Sequence, residues 1–226
     1  MNNLASTLRA QGDHAGARRL QERVLKESVR VLGKDHRDTL AAANNLALTL
    51  WKQGDFARAR PLAEEAAEIS KRVLGPEHPD TLTSMSNLAS MLLAQGDRAG
   101  ARRLQERVLQ TRARVLGEEH PDTLTSMNNL ALTLMAEGDL AGARRLQERA
   151  LEVRTRVLGE EHPITLHSMG NLAAILGSQG DHDGGLRLLR KCLAGLRKVL
   201  GDDHPDTAAA AESLKCLEER VTSDSH

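Results

Sequence analysis

Only two cysteines, Cys192 and Cys216, occur in the 226 residues, both near the C-terminal end. They are too few and too late to staple a fold of this length, which fits a reducing compartment and a cytoplasmic location. Neither sign of charge is in excess, since 31 Lys and Arg stand against 31 Asp and Glu. A nucleic-acid binder carries a Lys/Arg surplus that displaces counterions, so nucleic acid is excluded as a partner. No apolar run approaches the roughly 18–20 residues that span a bilayer, which excludes the membrane as well. The opening stretch, MNNLASTLRAQGD, has no basic n-region and no apolar h-region and does not read as a signal peptide. What remains is ordinary for a folded chain, 40% hydrophobic and 27% charged. The length suits one domain or one continuous array.

The residues repeat. Gly-Asp pairs recur at 12–13, 54–55, 96–97, 138–139 and 180–181, always 42 apart. Gly33, Gly75, Gly117, Gly159 and Gly201, each after a Leu, keep the same step, as do His36, His78, His120, His162 and His204. Thr39, Thr81, Thr123, Thr165 and Thr207 lie three residues beyond each His. Asn3, Asn45, Asn87, Asn129 and Asn171 complete the register, and Ser213 takes the next slot. Blocks 96–137 and 138–179 are roughly two-thirds identical, which marks duplication. The expected organisation is a single array over 1–226, with a partial unit at 1–33 and full units at 34–75, 76–117, 118–159 and 160–201. A capping helix at 202–221 and a disordered tail at 222–226 follow.

Each unit reads as two helices. Leu82, Met85, Leu88, Ala89 and Leu92 lie three or four apart, on one face of a helix A over about 79–95. Pro79 suits the first helical position, and Asp80 favours the first turn. Gly96 closes that helix in the left-handed conformation and Asp97 caps the next. Helix B, about 98–116, carries Ala101, Leu104, Val108, Leu109, Val115 and Leu116, and Gly117 closes it. Neither helix buries its stripe alone, so units must stack. Leu46, Leu88, Leu130 and Leu172 of the A helices are expected to meet Ala59, Ala101, Ala143 and Gly185 of the B helices at close approach.

The pattern N-L-A-x-x-L-x-x-x-G-D-x-x-x-A, with small residues at Ala59, Ala63 and Ala66, resembles the tetratricopeptide repeat. The 42-residue step with L-G-x-x-H-P-D-T between units is similar to kinesin light chain repeats and their bacterial relatives. The resemblance implies an all-α fold: a right-handed superhelical solenoid of antiparallel helix pairs, about five units and a C-terminal capping helix. It further implies a concave groove, lined by A helices, that binds peptides or partner proteins.

The departures are specific. The family's aromatic positions are mostly Leu here, with Phe56 the one aromatic at its turn site. Arg37 replaces Pro in the second unit and Ile164 replaces Asp in the fifth. Pro61 lies inside helix B of the second unit, where it removes a hydrogen bond to residue 57 and bends the helix slightly. Gly170, Gly177, Gly184 and Gly185 cluster in the fifth unit and make it the weakest, either as a hinge or through looseness near an array end. Asn2, Asn3 and Leu4 align with Asn44, Asn45 and Leu46 in mid-helix, so the first helix lacks its first turn. An uncapped start favours end-to-end self-association. It also fits a regulatory or sensory arm of a larger signalling protein.

No catalytic set, metal site or cofactor motif survives geometry, and the chain does not read as an enzyme. The five periodic histidines stand one repeat apart, far beyond the roughly 2 Å of a zinc–ligand bond, and read as loop residues packed on a helix end. Cys192 and Cys216 lack a Cys-x-x-Cys partner and read as helix-packing residues. The Gly-Asp turns are followed by no G-x-x-x-x-G-K-[ST]. Arg102, Arg103, Arg107, Arg144, Arg145 and Arg149 interleave with Glu106 and Glu148 at helical pairing distance and read as a solvated convex face.

The family places its groove contacts on the face of helix A away from the apolar stripe. Here those positions hold Asn44, Asn45, Leu48, Trp51 and Lys52 in the second unit, and Asn87 and Ser90 in the third. The fourth unit contributes Asn128, Asn129, Leu132 and Met135, and the fifth Asn171. An Asn amide pairs with both the N–H and the C=O of an extended peptide, and in mid-helix it needs a reason. The family assigns this Asn to the peptide backbone; bonding to a neighbouring helix, which sets the pitch of the array, is the alternative. Lys52 stands nearly alone as a charge, so the groove suits a neutral to mildly apolar protein or peptide ligand.

Overall fold

The computed structural model describes residues 14–223, and every regular element among them is a helix. In chain order these are α1 (His14–Leu32), α2 (Arg37–Lys52), α3 (Phe56–Val73), α4 (Pro79–Ala94) and α5 (Arg98–Leu116). Then come α6 (Pro121–Glu137), α7 (Leu140–Leu158), α8 (Pro163–Ser178), α9 (His182–Leu200) and α10 (Pro205–Ser223). The expectations for Asn2, Asn3, Leu4, Gly12, Asp13 and the tail 224–226 lie outside the described residues; the last helix itself runs two residues past its expected end. None of the described helices is long and apolar enough to cross a membrane.

The helix limits follow from a few residues per turn. Asp97, Asp139 and Asp181 accept the backbone N–H of Gly100, Gly142 and Gly184, each at 2.9 Å, and so start the B helices. Positive-φ glycines recur every 21 residues from Gly33 to Gly201, so both halves of each unit end in the same way. The A helices start unexpectedly. The Nδ1 atoms of His36, His78, His120, His162 and His204 accept the N–H two residues on, at 3.1–3.2 Å. The periodic histidines are helix caps rather than side chains packed on the preceding helix end. His120→Ala is expected to cost about 0.5–2 kcal/mol, whereas His120→Asn, which keeps an acceptor there, is expected to cost little. Paired thermal melts of the two variants check this.

The chain divides into two compact units, one ending at Thr111 and one beginning at Arg112. In the first, α1 packs on α2, α2 on α3, α3 on α4, and α2 lies beside α4. One core cluster joins Leu46, Leu50 and Ala59, and another joins Ala47, Ala63, Ala67, Leu88, Met91, Leu92 and Ala101. The expected meetings of Leu46 with Ala59 and of Leu88 with Ala101 are therefore present. Helix α3 continues through Pro61, which is exposed. In the second unit α6 packs on α7, α7 on α8, α8 on α9, α9 on α10, and α6 lies beside α8.

Val115 and Leu116 do not join the helix B stripe as expected. They are 48% and 36% exposed, and Val157 and Leu158 are 59% and 41% exposed, so the stripe leaves the core in the last turn of these B helices. The glycine cluster of the fifth unit also has a packing role. A Cβ on Gly184 would fall 2.4 Å from the capping Asp181 Oδ2, and one on Gly185 would fall 2.9 Å from Leu217 Cδ2. Arg112 and Arg154, which lie outside the set read as a solvated face, are each only 6% exposed. Their Nη1 atoms donate to Ser126 Oγ at 2.9 Å and Ser168 Oγ at 2.6 Å. Burial pushes both guanidinium groups below their ordinary pKa.

Ion pairs run along the loop edge of each unit. Arg72 meets Asp35 at 2.7 Å in the first; Arg156 meets Glu119 and Lys198 meets Glu161, both at 2.5 Å, in the second. A neighbouring set joins Lys34 to Glu65 at 2.9 Å, Arg149 to Glu118 at 3.9 Å and Lys191 to Glu160 at 2.5 Å. The first of these has the opposite polarity to the other two. Arg102–Glu106 and Arg144–Glu148 form the expected pairs within helices, at 2.8 and 2.7 Å.

Candidate functional site

The asparagines divide by what they bond, and among the described residues Asn171 is the one member of the Asn45 column that is engaged. Asn44, half-buried on α2, donates through Nδ2 to Ser84 Oγ on α4, and Ser84 in turn donates to the Asp80 carbonyl at 2.9 Å. In the second unit Asn171 on α8 donates to Asn128 Oδ1 on α6 at 2.6 Å. These amides tie one A helix to the next and set their spacing. Asn45 is exposed, and Asn87 and Asn129 are half-buried; among the described residues their side-chain amides make no hydrogen bond. A step of one residue turns a side chain by about 100° around a helix, so Asn45 is directed away from the contact that holds Asn44.

Asn45 and Asn87 come together. Helices α2 and α4 enclose a hollow of about 140 Å³ lined by Ala41, Asn44, Asn45, Thr83 and Asn87, with Arg37 and Asp80 at one end. Arg37 and Asp80 form a close ion pair across that end. The hydrogen bond that Arg37 donates to Asp80, and then the charge of that carboxylate, raise the Arg37 pKa above the ordinary value. Arg37 is the residue that stands in place of Pro, and the pair closes the hollow where the other A helices begin with a ring that has no charge to offer.

The remaining candidates are distributed around these amides. Leu48 is half-buried, while Lys52 and Ser90 are exposed, and the Ser90 hydroxyl donates to the Ser86 carbonyl at 3.1 Å. Trp51 is not simply a groove surface: its ring lies 4.4 Å from that of Phe56, tilted by 53°, and packs against two core clusters of its unit. In the second unit Asn129, Leu132 and Met135 are half-buried on α6. His167 Nε2 lies 3.1 Å from Asp206 Oδ2, joining α8 to α10. Cys192 is buried and donates to the Leu166 carbonyl at 3.2 Å, and burial raises its thiol pKa. Cys216 is exposed on α10, against the helix-packing expectation.

The two asparagine columns differ by one residue, and the pattern that separates them is visible in the repeats themselves. The column of Asn44 and Asn128 admits Ser86 and Gly170, whereas that of Asn45, Asn87, Asn129 and Asn171 is unbroken through the full units.

Family models for the tetratricopeptide repeat match residues 1–72, 38–114, 85–135 and 122–184, and a further one matches 165–206. No curated protein matches the chain by sequence. Among solved structures, the nearly identical TPR-like repeats of a kinesin light chain candidate from Podosopora anserina superpose with a TM-score of 0.74 at 30% identity. That match covers 88% of this chain and 94% of the other. A variant of the same protein gives 0.76, again at 30% identity, covering 87% and 93%. BtubC (BKLC) from P. vanneervenii superposes with a TM-score of 0.74 over 91% of this chain and 83% of its own, and at 22% identity it speaks to the fold.

Proposed function

The chain belongs to the tetratricopeptide repeat family, in its kinesin light chain-like form, and from that premise we propose that it is a peptide-binding scaffold. Repeats of this kind generally serve as protein–protein interaction scaffolds. In our reading an extended, neutral to mildly apolar segment of a partner protein lies on the inner faces of the A helices. The reading assigns no catalysis to the chain and keeps it in the cytoplasm, with its two cysteines free.

One observation carries it: Asn45 and Asn87 line a single hollow with amides that no described residue engages. Each offers two donors and an acceptor, the set that an extended backbone requires. Asn44, bonded to Ser84, fixes the distance between the two helices that present them. The pitch role and the binding role therefore fall to different asparagines of the same helix.

The test is affinity capture from the source lysate, comparing wild type with the Asn45→Ala, Asn87→Ala, Asn129→Ala triple variant. The expected result is a partner retained by wild type and lost by the variant, with the melting temperature nearly unchanged. A melting temperature lowered by many degrees would transfer these residues to the pitch role. Equal capture by both proteins would refute the groove.

A further inference from the structure

Along the inner face, one helix A position holds Asn44, Ser86 and Asn128 in successive units, and the position seven residues on holds Trp51, Leu93 and Met135. In the fifth unit these two positions are Gly170 and Gly177. Two side chains are thereby removed from one face, and α8, α9 and α10 enclose a half-open hollow of about 220 Å³ beside both glycines. Its floor is apolar, formed by Ala173, Leu189 and Leu217, all buried. Ser178 and Ser213 on its wall donate their hydroxyl hydrogens to the Ala174 and Ala209 carbonyls, both at 2.9 Å.

Charge enters from one side. Arg220 lines the hollow and is exposed, and it has no ion-pair partner among the described residues. The carboxylates nearest to it in the helix are engaged elsewhere, Glu218 by Arg190 at 2.9 Å and Glu219 by Lys215 at 3.9 Å. An apolar recess with a guanidinium at its edge that no described carboxylate opposes is complementary to an aliphatic group that has a carboxylate close by. The recess is larger than the roughly 150 Å³ apolar cavity that holds a benzene, so a branched side chain of leucine size fits. The planar fork of Arg220 can meet a carboxylate through two parallel N–H donors.

We propose that this hollow is the specificity subsite for the partner segment, taking an aliphatic side chain whose neighbouring residue is acidic and meets Arg220. The proposal rests on the groove reading above and amends its neutral to mildly apolar segment by one acidic residue at a fixed position. A segment seated here is anchored by apolar burial at the fifth unit, while backbone pairing with asparagines carries no side-chain preference.

The probe is acetyl-Leu-Glu-amide, titrated into the isotope-labelled full chain and followed by NMR. The expected result is a set of saturable shifts on α8, α9 and α10 centred on Gly170, Gly177 and Cys216, with acetyl-Ala-Gln-amide producing none. Gly170→Asn restores the residue of the preceding unit; its Cβ would sit 3.8 Å from Cys192 Sγ, an ordinary contact, so the fold is retained. This variant is expected to abolish the shifts by narrowing the recess. Arg220→Gln is expected to weaken the Leu-Glu probe by about twofold to fivefold and to leave acetyl-Leu-Gln-amide unchanged. Silence on α8–α10 in wild type, or shifts that neither variant alters, overturns the proposal. Shifts at Asn45 and Asn87 with α8–α10 silent overturn it and spare the groove. Failure of the groove itself appears separately, as equal partner capture by the triple asparagine variant.

Discussion

Leu88→Ala is expected to lower the unfolding free energy by about 2–5 kcal/mol, read from urea denaturation at unchanged slope. Leu88 is 9% exposed and belongs to a cluster drawn from α2, α3, α4 and α5. Most of its neighbours there are alanines, namely Ala47, Ala63, Ala67 and Ala101. The alanines have no long side chain to swing into a void, whereas Met91, Leu92 and the packed Trp51 do, so the cavity left by the leucine closes only in part and the loss falls within that range. The stabilising contacts of a repeat array lie largely between nearest neighbours, so the effect extends to both adjoining helix pairs. Val115→Ala serves as the control. It lies on a helix B stripe by periodicity yet is 48% exposed, and should change stability by less than about 0.5 kcal/mol. A near-neutral Leu88→Ala would mean that the buried face of helix A has been misassigned.

Gly185→Leu is expected to cost about 1–3 kcal/mol through overpacking, with amide exchange quickening along α10. The equivalent positions hold Ala59, Ala101 and Ala143, each 0% exposed, and by that comparison a small side chain belongs here. In the fifth unit the space is already taken. A Cβ would lie 2.9 Å from Leu217 Cδ2 and 3.1 Å from the Ala173 carbonyl oxygen. The leucine end can rotate away, but the carbonyl belongs to the backbone of α8 and cannot. Leu217 is the residue by which α10 enters the cluster of Ala173, Leu186 and Leu189, so displacing it loosens the last helix. An unchanged melting temperature with unchanged α10 protection would show that the close contact carries no packing role.

How much was legible beforehand depended on the residue type. Pro79, Gly96 and Gly117 mark helix ends to within a residue, since each is chosen for a backbone conformation that few others adopt. The buried face of α4 follows from spacing alone, and Leu82, Met85, Leu88, Ala89 and Leu92 are all buried. Periodicity does not reveal where a stripe leaves the core, and Val115 and Leu116 continue the helix B spacing although both are exposed. The histidine caps were hidden because Ser, Thr, Asp and Asn lead the capping preference, although five repeats of the same placement were available as a signal. Arg112 and Arg154 were hidden by their chemistry, since arginine is seldom buried. Their column nevertheless holds Ser70 and Leu196, both buried, and a column that accepts leucine is an interior one. The two asparagine columns are distinct in the repeats, but which amides are engaged is not, since Ser84 accepts from Asn44 of one column and Asn128 from Asn171 of the other.

Units this alike invite a particular accident during folding, in which a loop docks on the wrong copy of its partner helix. The reversed ion pair of the first unit bears on this. Lys34 fits Glu65, but the corresponding helix positions further along hold Arg149 and Lys191, and the loops that match those hold Glu118 and Glu160. A loop carrying Lys34 that strayed to a later unit would set one cation against another, and a later loop that strayed to α3 would set Glu against Glu65. Each surface pair is worth little in itself, about 0–1 kcal/mol, yet its sign distinguishes near-duplicates that the apolar core treats alike. The polarity acts as an address, setting the copy at 34–75 apart from those whose loops carry Glu118 and Glu160.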